Sequence, residues 1–168
     1  QRIDERTGVH SSAQHALNNT PNMAIEIRAY EASDLHTLSA IWFDASLLAH
    51  AFLGEARLRE QRALIEAVYL PKAETWVACR AGEPVGFIGL LDGSIGGLFV
   101  APAMHGHGIG RALVEHALAL KGALDLEVYA DNLGARAFYA RLGFDEISRR
   151  DEDDEGLPFA NILMRSTR

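Results

Sequence analysis

Leu98-Phe99-Val100-Ala101-Pro102-Ala103-Met104-His105-Gly106-His107-Gly108-Ile109-Gly110-Arg111 is the stretch on which the fold turns. Its first part completes an apolar run, Ile95–Val100, of strand length, interrupted by Pro102. From Gly108 to Lys121, Ile109, Leu113, Ala117 and Leu120 recur on one helical face, and Gly122 closes the helix. Gly106, Gly108 and Gly110 sit where strand gives way to helix. Glycines let backbone N–H groups come close to a ligand. A helix start offers unpaired N–H groups and the positive end of the dipole, which favour a phosphate. Arg111 adds a cation able to bond in two places, and Ala112 keeps the neighbouring surface small. The spacing excludes two common phosphate loops. A dinucleotide fingerprint needs Gly-x-Gly-x-x-Gly in the first strand–helix turn, whereas this pattern is Gly-x-Gly-x-Gly, far along the chain. A Walker loop needs Lys-Ser or Lys-Thr after its last glycine, and neither follows.

On the N-terminal side, Ile25–Arg28 alternates like a strand. Ser33 reads as the cap of a helix whose apolar residues run from Leu35 to Leu48. After Gly54, a second helix spans Glu55–Leu70 and is expected to end at Pro71. Thr75–Arg80 and Val85–Leu91 form a hairpin about Ala81–Pro84, and Asp92-Gly93 turns the chain into Ile95–Val100. On the C-terminal side come a strand at Leu124–Tyr129, a helix capped by Asp131 or Asn132 and running to Arg141, and a last hairpin of Phe144–Arg150 with Ala160–Arg165. The order β-α-α-β-β-β-α-β-α-β-β defines a mixed α/β domain.

The chain has 168 residues, 48% of them hydrophobic, enough for the core of one domain. Residues 1–22 are polar and aperiodic, and read as an N-terminal extension or a cloning remnant ahead of Met23. The domain is then 23–168. A net charge of −7 argues against nucleic acid as a partner. No apolar run reaches the roughly 18 residues of a membrane span. Cys79 is the only cysteine, which fits a reducing cytoplasm. His105 and His107 form a His-x-His pair, but no cysteine or third histidine stands at ligand spacing, so no metal is expected.

Leu98-Phe99-Val100-x-Pro102, the glycine loop with Arg111, then Asn132, Ala135, Phe138-Tyr139 and Leu142-Gly143-Phe144 together resemble the GNAT acetyltransferase superfamily over residues 23–168. Ile41-Trp42, Ser46, His50-Ala51-Phe52-Leu53 and Arg149…Asp154-Glu155-Gly156-Leu157-Pro158 are similar to its bacterial YjaB-type group, which often has Tyr-Pro where this chain has Phe159-Ala160. The resemblance implies a GNAT fold: a splayed, mostly antiparallel sheet of about seven strands flanked by four helices. It implies acetyl-CoA as co-substrate and an amine as acceptor. Leu98, Phe99 and Val100 would meet pantetheine, and the backbone of His105 through Arg111 (Gly106, His107, Gly108, Ile109 and Gly110 between them) would hold the pyrophosphate. Asn132, Ala135 and Phe138 would line the cofactor. His105 departs from the family's usual Gln or Arg. Homodimers are common among relatives, and oligomeric state is left open.

Transfer to an amine requires a neutral amine, stabilisation of the carbonyl oxygen, and a proton for the departing thiolate. Tyr139 matches the family's acid tyrosine. Glu127 is the first candidate base, sharing a strand face with Tyr129; a purely structural carboxylate is the alternative. His50 is the second candidate base. Oxyanion stabilisation is expected from a backbone N–H at Leu98–Val100, at a bulge eased by Gly96-Gly97. The acidic run Asp151–Glu155 reads either as a solvated loop or as an attractor of cationic amines, and Phe52-Leu53 as an acceptor wall. Three functions are distinguished: an N-acetyltransferase working by direct transfer, an acyl-CoA-binding module without turnover, and a transferase for another acyl group or an alcohol.

Overall fold

Strands of two kinds, alternating ones such as β5 and continuous apolar runs such as β3, join one seven-stranded sheet in the order β1-β2-β3-β4-β5-β7-β6. The structure, a computed structural model, describes residues 24–167. The expected extension at 1–22 lies outside the described residues, as does Met23. The strands are β1 Ile25–Ala29, β2 Glu74–Arg80, β3 Glu83–Leu91, β4 Ser94–Val100, β5 Asp125–Tyr129, β6 Phe144–Arg150 and β7 Asn161–Ser166. The helices are α1 Leu35–Ala49, α2 beginning as Glu55–Leu64, α3 Ile109–Lys121 and α4 Leu133–Arg141. Every neighbouring pair is antiparallel except β4 and β5. That exception follows from the helical crossover α3, since parallel neighbours need a long connection.

The sheet separates two cores. Ile88, Leu90 and Ile95 pack with Leu113 and Val114 of α3 on one face. Val77 and Phe87 pack with Leu38 and Trp42 of α1 and Leu58 of α2 on the other. Adjacent residues such as Phe87 and Ile88 belong to opposite cores because strand side chains alternate.

Two helix boundaries differ from expectation. Ser33 caps nothing: it lies within a 3₁₀ turn, Ala32–Asp34, and α1 starts at Leu35. Asp34 anchors this start instead, receiving the Arg28 guanidinium through two 2.8 Å bonds and the Glu31 N–H at 2.9 Å. Pro71 does not end α2 either. The helix passes through a π-helical turn, Ile65–Tyr69, and finishes with Leu70–Lys72. Proline crowds the carbonyl four residues back, and the wider turn just before it accommodates that ring.

β4 and β5 pair only at Ser94 with Asp125 and Ile95 with Leu126. Beyond these pairs the strands diverge, pivoting at a hydrogen bond from Ser94 Oγ to the Asp125 carboxylate. The bulge lies earlier than expected. Leu98, Phe99 and Val100 pair without interruption with Ile88, Phe87 and Gly86, whereas Leu90 faces Ile95 and Gly89 faces Gly97, leaving Gly96 as the extra residue. A bulge increases local twist, here just where β4 leaves β5.

Candidate active site

The divergence opens two clefts, of about 540 and 490 Å³, that share His50, Leu98, Phe99, Asn132, Ala135 and Tyr139 in their walls. The larger runs from the splay to the start of α3 and also includes Val100, His105, Gly106, Gly108, Ile109, Gly110, Arg111 and Phe138. His107 is the one expected cofactor contact that does not line it; the residue is exposed on the loop.

The loop chemistry follows from backbone geometry. Gly106 and Gly108 have φ of 80° and 76°, a left-handed conformation that side chains rarely adopt. A Cβ at either would meet nothing within 4 Å, so the space above them is open. The Ala112 N–H bonds the Gly108 carbonyl, so the N–H groups of Ile109, Gly110 and Arg111 precede the first helical bond and have no helical acceptor. A Cβ on Gly110 would come within 3.3 Å of Phe138 and 3.7 Å of Leu98, which shows how closely α3, α4 and β4 converge there. Arg111 is exposed and pairs with Glu115 at 2.9 Å, a weak surface interaction. Arg141, which sequence reasoning missed, also lines this cleft and has no acidic partner among the described residues. Its position in the last turn of a motif helix was the available signal.

β4 contributes its free edge. The Ala101 N–H bonds Val85 O, and antiparallel alternation then directs the polar groups of Phe99 and Gly97 toward β3. Leu98 and Val100 therefore turn their N–H and C=O groups to the splay. His105 Nε2 donates to Val100 O at 2.9 Å, since a carbonyl can only accept. Open loop amides, a free strand edge, an apolar wall and a partnerless arginine fit the pyrophosphate and pantetheine of a coenzyme A thioester.

α4 supplies the groups at the junction. Asn132 caps it, its Oδ1 accepting the Ala135 N–H at 3.1 Å. That bond orients the amide, so Nδ2 faces His50 Nε2 at 3.4 Å. Nε2 is thus an acceptor and the proton sits on Nδ1. The His50 ring lies edge-on to Tyr129, with centroids 5.1 Å apart, and burial pushes its pKa down, keeping it neutral. Tyr139 is buried beside Phe138 and Phe144. Burial, with a smaller contribution from Tyr69, raises its phenol well above the usual range. The hydroxyl therefore keeps its proton.

The smaller cleft adds Gly96, Gly97, Glu127, Tyr129 and Asp154. Glu127 and Tyr129 share this side, as alternation requires. Glu127 Oε2 accepts from Arg150, which also bonds Asp154 at 3.0 Å. The acidic run is only partly solvated. Asp153 is buried, accepting the Glu155 and Leu157 N–H groups at 2.9 Å each and an Arg57 N–H at 3.3 Å. Phe52 packs against Tyr129 rather than lining a cleft, and Leu53 is buried in the core. Among the described residues, no group of three or more His, Cys, Asp or Glu could hold a metal, and no helix is long and apolar enough to cross a membrane.

Comparison with known proteins agrees with this geometry. Residues 35–144 match the model of the acetyltransferase (GNAT) family. The chain is 38% identical over 138 residues to the peptidyl-lysine N-acetyltransferase YjaB of Salmonella typhimurium, covering 82% of this chain and 94% of that protein. It superposes on the solution structure of apo YjaB from Escherichia coli with a TM-score of 0.79 at 34% identity, covering 86% and 98% of the two chains. The PaiA N-acetyltransferase of Thermoplasma acidophilum, solved with coenzyme A, shares the fold with a TM-score of 0.70 at 19% identity, covering 86% and 99%. A divided sheet with a glycine-opened helix start on one side, and a family match over most of the described chain, lead to one assignment: the chain belongs to the GNAT family of acetyl-CoA-dependent N-acetyltransferases.

Proposed function

We propose that this enzyme acetylates the ε-amine of lysine in proteins or peptides by direct transfer. One observation carries the reading: Tyr139, held protonated, borders both clefts at their junction. Acetyl-CoA, when bound, supplies an activated thioester. The open N–H groups at the start of α3, with Arg141, hold its phosphates. The Leu98 and Val100 edge aligns the pantetheine arm and offers N–H groups where negative charge develops on oxygen. Tyr139 gives its proton to the departing sulfur. The only cysteine, Cys79, is buried in β2 away from both clefts, which favours direct transfer over an acyl-cysteine relay.

The acceptor enters through the smaller cleft. Asp154 and Glu127 present carboxylates to its ammonium, and the relatives named as peptidyl-lysine acetyltransferases support lysine as that amine. His50 takes the proton. It reaches both clefts in neutral form and yields only a long contact with Asn132, whereas Glu127 has one oxygen committed to Arg150. Because burial lowers the His50 pKa, the acid limb of kcat/KM should lie below the ordinary histidine value of about 6.5.

The test is acetylation of a panel of lysine peptides, N-terminal amines and polyamines, read by mass spectrometry. Lysine ε-acetylation should dominate. Exclusive modification of polyamines or α-amines would refute the acceptor assignment. His50→Gln should remove the acid limb and Glu127→Gln should keep it; the reverse would make Glu127 the base.

A further inference from the structure

Tyr69 ends the π-helical turn of α2, and its phenol reaches the sheet where β3 and β4 are built of glycine. A Cβ on Gly89 or Gly96 would collide with the Tyr69 hydroxyl, and one on Gly97 would lie 3.4 Å from it. The polar tip of the side chain, rather than the face of its ring, is the atom nearest the first two positions. Three glycines on two strands thus form a notch around one oxygen. The hydroxyl approaches the Gly89 carbonyl at 3.4 Å, a long hydrogen bond.

The turn that delivers Tyr69 is fastened. Buried Ser39 of α1 donates to Glu66 at 2.5 Å and accepts from Arg62 at 2.8 Å. The phenol pKa is pushed up to about 12 by burial, so the hydroxyl stays protonated. Its field also contributes to the raised pKa of Tyr139, which puts the two phenols within electrostatic reach.

Gly96 is the bulge residue itself, and Leu98 is the first residue beyond it whose N–H faces the splay. The bulge sets the twist of the strand that follows, and so the direction of that N–H. We infer that Tyr69 is a positioning residue for acetyl transfer: its hydroxyl, seated among Gly89, Gly96 and Gly97, fixes the bulge that aims the Leu98 N–H at the reacting carbonyl. The inference rests on the site reading above and adds to it a residue that touches neither substrate.

Steady-state kinetics with acetyl-CoA and a lysine peptide, alongside thermal melts, tests it. Tyr69→Phe keeps the ring and should melt like wild type, with kcat about tenfold lower and both KM values within about twofold, because transition-state charge alone loses its donor. Gly96→Ala should displace the phenol and lower kcat similarly. In a Tyr69→Ala background, Gly96→Ala should add little, since the added methyl then meets only the end of the exposed Leu91 side chain, at 3.2 Å. Wild-type kcat in Tyr69→Phe, or additive effects of Gly96→Ala and Tyr69→Ala, would overturn the inference. Tyr139→Phe separates the two levels. If Tyr139→Phe is impaired while Tyr69→Phe is not, only this inference falls; if Tyr139→Phe turns over like wild type, the site reading falls and this inference with it.

Discussion

At the start of α3, the cleft proposed for acetyl-CoA presents mainly peptide: open N–H groups, two left-handed glycines and the free edge of β4. Across the splay, the cleft proposed for the acceptor is walled by side chains from distant parts of the chain. His50 follows α1, Glu127 and Tyr129 lie on β5, and Asp154 comes from the loop between β6 and β7. The first wall needs only local backbone geometry. The second is laced by ion pairs between segments remote in sequence, Arg150 with Glu127 and Arg57 with Asp153 and Glu155, and by the local pair of Arg150 with Asp154. On the proposed reading, acetyl-CoA meets a surface with little side-chain chemistry, and the acceptor one that substitution can readily retune.

Tyr139 belongs to both walls, so its substitution is the most severe test of their separation. Tyr139→Phe should lower kcat about 100-fold while acetyl-CoA binding, read by calorimetry, stays at the wild-type level. Weakened acetyl-CoA binding with kcat retained would mean that the phenol only shapes the cofactor wall. Gly108→Val strikes the peptide wall alone. A β-branched residue is strained at φ 76°, and its side chain would enter the open space above the loop. The Kd for acetyl-CoA should rise about tenfold, or ~1.4 kcal/mol, while the KM for the peptide is unchanged.

The same contrast explains what could be read before the structure. The glycine loop, the Asn132 cap and the strand–helix order are local, so periodicity and spacing reveal them: the expected element order is the observed one, and all expected cofactor contacts but His107 line the cleft. The failures involve long-range contacts. Ser33 reads as a cap in the sequence because only the fold brings Arg28 against Asp34. The sequence points to a bulge at Leu98–Val100 because nothing local announces that Tyr69 fills a notch beside Gly96. A signal did exist, since Gly89, Gly96 and Gly97 in paired apolar strands mark a close approach, but identifying the approaching group requires the tertiary structure. Likewise the acidic run gives no hint that Asp153 is a buried anchor while Asp154 borders the cleft.

Glu127→Gln addresses the acceptor wall at a smaller scale. The Glu127 side chain is 44% exposed, so its attraction for a cation is screened by solvent. The KM for a lysine peptide should rise about threefold at low salt, shrinking as ionic strength increases, with the KM for acetyl-CoA constant. An equal rise in both constants would show that the two walls are coupled through β5.

The smallest expected effect concerns the support behind the acceptor wall. α1 starts at Asp34, whose carboxyl is held below its ordinary value, first by the hydrogen bond from Arg28, and α1 ends beside His50. A depressed carboxylate adds stability that is complete above the unfolded value near 3.9 and is lost as pH falls through the folded value. Asp34→Asn should therefore lower the melting temperature at pH 7 by about 3 °C, the scale of ~1 kcal/mol in a domain of this size, and wild type and variant should converge as the pH falls through the depressed folded value. A pH-independent gap would assign the loss to packing at the start of α1. If the wild-type KM for peptide also rises in acid before acetyl-CoA affinity falls, the acceptor side depends on ionised carboxylates in a way the peptide-built cofactor side does not.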